Sequence, residues 1–352
     1  MSRARTAGSV VADTSFPALP AVREVAAHDA TSLDGLLRDA AEPFILRGLV
    51  RHWPLVQAGQ ESARAARSHL LAHARDREFV LSMANPDVGG RLFYDAAMAV
   101  NFRMGKGRLP DIFAGFDKAE ERDAAQVPTV YLGSIDIKQF FAGLDVANPL
   151  DLGARDPLAS IWIGNATRIA AHNDFPDNLA CCAVGRRRFI LFPPDQFANL
   201  YLGPVDITPA GRPVSMVDFA APDHAAHPRF RDALTVAQRA DLAPGDALFI
   251  PSSWYHHVEA LDTFNVLVNY WWRETPRFLG QPHNALLHAM MTIRDLPATE
   301  RANWQAMFDH YVFSGGAAAR AHIDPQAQGV LAPLDAHSAQ RLHQFLLRSL
   351  SQ

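Results

Sequence analysis

From about Val130 to Trp272 the chain breaks into short apolar runs separated by Gly, Pro and Asp, and this texture limits the fold more than any other feature. The clearest runs are ASIWIGN (159–165), NLACCAV (178–184), RRFILFP (187–193), DALFIP (246–251) and FNVLVNYWW (264–272). Gly185 with Arg186 separates the second run from the third, and Pro244-Gly245-Asp246 opens the fourth, so turn chemistry stands where strands should end. Short strands so punctuated build a barrel or sandwich, and a β-barrel core is the simplest form.

The flanks read differently. Residues 1–20 are small and polar with prolines, the texture of a loose arm. Residues 21–130 are mixed and should pack on the core. Within them Leu33, Leu36, Leu37 and Ala40 recur at helical spacing before Pro43, PFILRGLV (43–50) reads as a short buried strand, and Ala63–Arg75 reads as a second helix. Phe79 to Asp117 shows no single period. Residues 131–275 form the barrel region, and 276–352 carry three helical patterns. Leu286, Leu287, Met290 and Met291 mark the first, Trp304, Met307, Phe308 and Tyr311 the second, and Leu342, Phe345, Leu346 and Leu350 the third. Their apolar faces need partners, either on the barrel or on a second copy; pairing between subunits is the reading for the last.

Composition removes several classes. With 352 residues, 49% hydrophobic and 20% charged, the chain can bury a large core and is not disordered as a whole. A net charge of -4 without a long Lys/Arg run leaves extended nucleic acid the least attractive substrate. The only cysteines, Cys181 and Cys182, are adjacent, which predicts no disulfide framework and a reducing, cytoplasmic setting. The first residues lack the apolar stretch of about 7–15 residues of a secretory signal. No run reaches the roughly 18 apolar residues of a membrane span.

The chemistry centres on His172-Asn173-Asp174, joined about eighty residues later by His256-His257. On a strand, side chains alternate faces, so His172 and Asp174 share one face. With one more imidazole they make the 2-His-1-carboxylate facial triad, which leaves open positions on iron. His256 or His257 must provide it, because alternation lets only one of them face the interior. A chain with 15 histidines offers H-x-D by chance, but two histidines directly after the apolar strand of GDALFIPSSWYHHVEAL (245–261) strengthen the reading. Arg187 shares a face with Phe189 and Leu191, so it would be buried and in want of an anion. Asn178 and Asn269 are amides within or beside apolar strands. Tyr131 and Trp271 are candidates for the wall of the same pocket.

HNDFPDNLACCAVGRRRFILFPPDQFANLYLGP (172–204) with PGDALFIPSSWYHHVEALDTFNVLVNYWW (244–272) resembles the cupin-like Jumonji C oxygenases, and PFILRGLVRHWP (43–54) resembles their opening segment. The resemblance implies a mainly β fold with flanking helices, a double-stranded β-helix (cupin or jelly-roll) core and a C-terminal helical segment that forms a homodimer. It implies Fe(II) on His172, Asp174 and His256, which leaves His257 facing outward toward a covering helix or solvent. It further implies dioxygen and 2-oxoglutarate as cosubstrates, the latter contacted by Arg187, Asn178, Asn269 and Tyr131, and hydroxylation of an unknown protein or small molecule. Two departures stand out: Arg187 replaces the lysine of the asparaginyl-hydroxylase branch, and Ile169 replaces an expected threonine, with Thr167 nearby.

Two other classes fit parts of this pattern. One is a metal-binding cupin that works without 2-oxoglutarate, though its usual extra histidines and glutamate are missing from Asn173–Arg188. The other is a non-catalytic interaction module built on the helical C-terminus. The stretch from Leu202 to Asp241 reads as a long insertion between core strands.

Overall fold

The apolar runs become strands of two facing sheets in the computed structural model, which describes residues 18–28 and 30–351. Most of the arm expected over residues 1–20 lies outside the described residues. In chain order the strands are β1 (Phe44–Leu46), β2 (Glu78–Ala84), β3 (Arg91–Leu92), β4 (Arg103–Arg108), β5 (Thr129–Asp136), β6 (Leu158–Gly164) and β7 (Thr167–Asn173). Then follow β8 (Asp177–Val184), β9 (Arg187–Phe192), β10 (Gln238–Leu242), β11 (Ala247–Ile250), β12 (Tyr255–Ala260) and β13 (Asn265–Trp272). The large sheet runs β1-β11-β8-β13-β6-β5-β2-β4 and the small one β10-β9-β12-β7-β3. This is the jelly-roll architecture of a cupin.

Strands β8, β9, β11 and β13 are covered on both faces, which is why they read as continuous apolar runs, whereas β2 near the open end of the large sheet alternates. In β8, Leu179, Cys181 and Ala183 join a core that also holds Leu55, Val56, Leu70 and Phe113 of the helices, while Ala180 and Cys182 point between the sheets. There they meet Phe189, Leu191 and Val258 of the small sheet. The two free cysteines thus face opposite ways, and both are buried. The outer face of the small sheet packs Ile190, Phe192 and Tyr255 against Leu200, Phe219 and Phe230.

Residues before 131 do more than pack on the barrel. They contribute β1, β2, β4 and the start of β5 to the large sheet, through long-range pairings that local pattern cannot show. Helices at Ala30–Asp39 and Ala63–His73 stand where periodicity placed them, and Pro54–Glu61 adds an unexpected one. That helix begins on a proline, whose missing N–H costs nothing at a first position. The long insertion is also shorter than it reads, because its last residues are β10, paired with β9.

Residues Arg273–Gln352 form a separate compact unit with helices at Pro282–Thr292, Ala298–Phe308 and Ala336–Leu350. Asp335 and Ser338 close a capping box on the last helix, satisfying otherwise orphaned donors at its start. Leu286, Met291, Trp304, Met307, Phe345, Leu346 and Leu350 are exposed large apolar side chains. No helix among the described residues is long and apolar enough to cross a membrane.

Candidate metal centre

His172 comes from the last turn of pleat in β7, Asp174 from the residue just beyond that strand, and His256 from β12, which pairs with β7 directly opposite His172. Their ligand atoms all lie within 4.8 Å of one another. His256 Nε2 is 3.8 Å from Asp174 Oδ2, and the two imidazole centroids are 4.5 Å apart. Each histidine places Nδ1 against a backbone carbonyl, His172 on Ala170 at 2.9 Å and His256 on Trp254 at 3.2 Å. Donation from Nδ1 fixes the tautomer and leaves Nε2 as the lone-pair donor a metal requires. Burial, then the neighbouring His172 ring, pushes His256 down to about 4, so it is neutral at physiological pH. Two imidazoles and one carboxylate on one side of a cavity form a facial triad with room for further ligands.

Alternation alone does not explain this geometry. His256 lies opposite His172 but Val258 lies opposite Ile169, so β7 carries one extra residue between the two pairs. The resulting bulge lets Ile169 and His172 both line the interior despite their odd spacing. Thr167, although buried, is not among the cavity residues and so does not take the place of the missing threonine. His257 points to the other side of the small sheet. It is as buried as its neighbour, stacked on Phe219 with centroids 4.6 Å apart and within 3.2 Å of Glu259 Oε1. Its cover is the 202–241 segment, where a helix or solvent was expected.

The cavity has a volume of about 360 Å³ and also receives Arg187, Asn178, Asn269, Tyr131 and Trp271. Arg187 is 3% exposed, and its Nε–H has no hydrogen-bond partner. Burial disfavours its charge, with Tyr131 and Cys182 opposing that effect. Burial likewise pushes the Tyr131 phenol up, so it stays protonated and able to donate. Asn269 Nδ2 donates to Asn178 Oδ1 at 2.6 Å, leaving Asn269 Oδ1 without a partner. Pattern also missed Trp162, whose ring lies 5.8 Å from both Tyr131 and Trp271 and whose indole N–H is unpartnered. Its parity on β6 would have revealed it once a neighbouring strand set the faces.

A family model of the cupin-like domain matches residues 37–278, well over half of the chain. The chain belongs to the cupin-like, Jumonji C family. Lysine-specific demethylase JMJ31 of Arabidopsis thaliana is 36% identical over 132 residues, 37% of this chain and 23% of that protein. The tRNA wybutosine-synthesizing protein 5 of Danio rerio is 36% identical over 107 residues, 30% of this chain and 29% of that protein. Human HSPB1-associated protein 1 is 35% identical over 116 residues, 32% and 23% respectively. The matched segment thus spans less than a third of the length of each of these relatives. Fe(II), 2-oxoglutarate and dioxygen are the metal and cosubstrates that the family and this donor set define. The residues fit them: two imidazoles and a carboxylate meet at one corner of the cavity, and a buried arginine without an anion stands in the same space.

Proposed function

We propose that this protein is an Fe(II)- and 2-oxoglutarate-dependent oxygenase that hydroxylates a protein side chain or a small molecule. The observation that carries the reading is the pairing, in one cavity, of the His172–Asp174–His256 donor set with the buried, unpartnered guanidinium of Arg187. A site that used its metal alone would have no need of a desolvated cation there. Bound iron with 2-oxoglutarate and dioxygen supplies oxidative decarboxylation coupled to C–H hydroxylation.

The chain's own residues do the rest. His172, Asp174 and His256 hold the metal on one face. Arg187 receives the far carboxylate of 2-oxoglutarate in its planar fork, with the protonated Tyr131 hydroxyl as a second donor. Asn178 and Asn269 orient the chelating end, each amide fixed by the other. Trp162 and Trp271 exclude water beside the metal. Two buried, free cysteines suit a cytoplasmic setting. The exposed face of Phe345, Leu346 and Leu350 pairs with a second copy of the chain as a homodimer.

Anaerobic Fe(II) titration with and without 2-oxoglutarate tests the reading. A charge-transfer absorption that needs both components is expected. Its absence in the folded protein refutes the assignment.

A further inference from the structure

Besides the imidazoles, three charged side chains line the cavity: Asp174, Arg187 and Arg212. The oxygenase reading uses the first two. Arg212 has no such role, yet its loop is held firmly. Gly203 N–H donates to Val214 O at 2.8 Å, Ser215 N–H to Ala171 O at 2.7 Å and Ser215 Oγ to Leu200 O at 2.6 Å, closing the neck of the loop beside the strand that carries His172. The Tyr94 hydroxyl donates to Ile207 O at 2.6 Å, and Val214 is buried with Phe93, Tyr94 and Ala170. At the tip Gly211 takes a φ of +71° in open space, a turn that glycine makes without strain. The Arg212 guanidinium then lies 4.1 Å from the centroid of Phe175.

Phe175 directly follows Asp174, and Arg212 lines the same cavity as His172, Asp174 and His256. Arg212 is half-buried, and no carboxylate pairs with it among the described residues. Charge balance shows what is lacking. In the loaded site the metal's two positive charges and that of Arg187 are matched by Asp174 and the two carboxylates of 2-oxoglutarate. Arg212 leaves one positive charge over, in a cavity whose lining includes apolar Leu92, Met104, Ala170 and Val214. A half-desolvated cation of this kind gains most from a partner that arrives with the substrate.

We propose that Arg212 is a specificity-determining residue and that the substrate carries a single carboxylate on an apolar stem. This rests on the oxygenase reading above. One planar guanidinium matches one carboxylate bidentately, whereas a phosphate dianion would keep a charge unmatched. The carboxylate is that of a free acid or of an acidic side chain in a protein; the recognition chemistry is the same.

The test uses the full chain loaded anaerobically with Fe(II) and 2-oxoglutarate, read by perturbation of the charge-transfer band and by calorimetry. The probes are hexanoate against hexanamide, hydrocinnamate against its amide, a capped pentapeptide with central Glu against its Gln counterpart, and hexyl phosphate. At least one acid should bind about tenfold or more tightly than its amide. The arm showing the preference, free acid or peptide, identifies the source. In Arg212→Gln the preference should fall to about twofold or less with the band intact, and Arg212→Lys should keep part of it. Equal binding of acids and amides, or no binding of either, by a protein that forms the band overturns the proposal and leaves the oxygenase reading standing. So do retention of the preference in Arg212→Gln, loss of the band in that variant alone, or a preference for hexyl phosphate over hexanoate. A wild-type protein that forms no band refutes the oxygenase reading, and the proposal falls with it.

Discussion

Replacing Arg187 with Met should move two measurements in opposite directions. The side chain is 3% exposed, lines the cavity beside Phe189 and near Cys182, and has no carboxylate partner among the described residues. Its charge is desolvated without a compensating ion, so an unbranched apolar side chain of similar length relieves a cost in the ligand-free protein. Apolar replacements of buried ions are often neutral or stabilising by about 1–4 kcal/mol. Binding of 2-oxoglutarate should do the reverse. Its far carboxylate would enter the same space with nothing to neutralise it, and removing one partner of a buried pair costs about 3–5 kcal/mol. At about 1.4 kcal/mol per tenfold, that weakens the Kd by roughly two to three and a half orders of magnitude. Denaturant unfolding of the metal-free variant gives the first number, and calorimetric titration of the Mn(II)-loaded protein with 2-oxoglutarate gives the second. Binding within a few-fold of wild type would refute the anchor. Destabilisation of the ligand-free protein by more than about 2 kcal/mol would instead make Arg187 a structural strut.

His172→Ala and Asp174→Ala should each lose the cosubstrate-dependent absorption and turnover while keeping the wild-type circular dichroism spectrum. Acid stability of the metal-free protein follows from His256: its folded pKa of about 4 lies below the ordinary 6.5, so the unfolded chain takes up a proton first and stability is lost as pH falls from about 6.5 to about 4. Chemical unfolding at stepped pH should show that slope, and His256→Asn should flatten it. Gly185→Ala should destabilise by roughly 1–3 kcal/mol, because φ there is +71° and a Cβ would meet Phe264 O at 2.8 Å. The same change should weaken 2-oxoglutarate binding, since this turn sets Arg187; unchanged binding in calorimetry would count against that link. Leu346→Asp should give a monomer by light scattering, and a persisting dimer would place the interface elsewhere.

The strand runs, their turns and the two histidine clusters were legible because they are local. A buried strand is announced by its own apolar residues, and Gly185 or Pro244-Gly245 by the backbone they permit. His172, Asp174 and His256 followed from such signals together with the resemblance. Tertiary structure alone decided what depends on distant pairing. Strand β1 entered the large sheet because β11, far along the chain, aligns with it, β2 and β4 entered it by pairing with each other and, through β2, with β5, and β3 and β10 are too short or too polar to stand out. The bulge that turns Ile169 and His172 to the same side is a mismatch between two strands, which neither strand encodes by itself. The cover on His257, the amide pair Asn178–Asn269 and the stationing of Arg212 beside Phe175 likewise join segments tens of residues apart. Side-chain alternation has a period of two and carries no information about what lies across the sheet; the partner strand and the layer above it determine which face becomes the site.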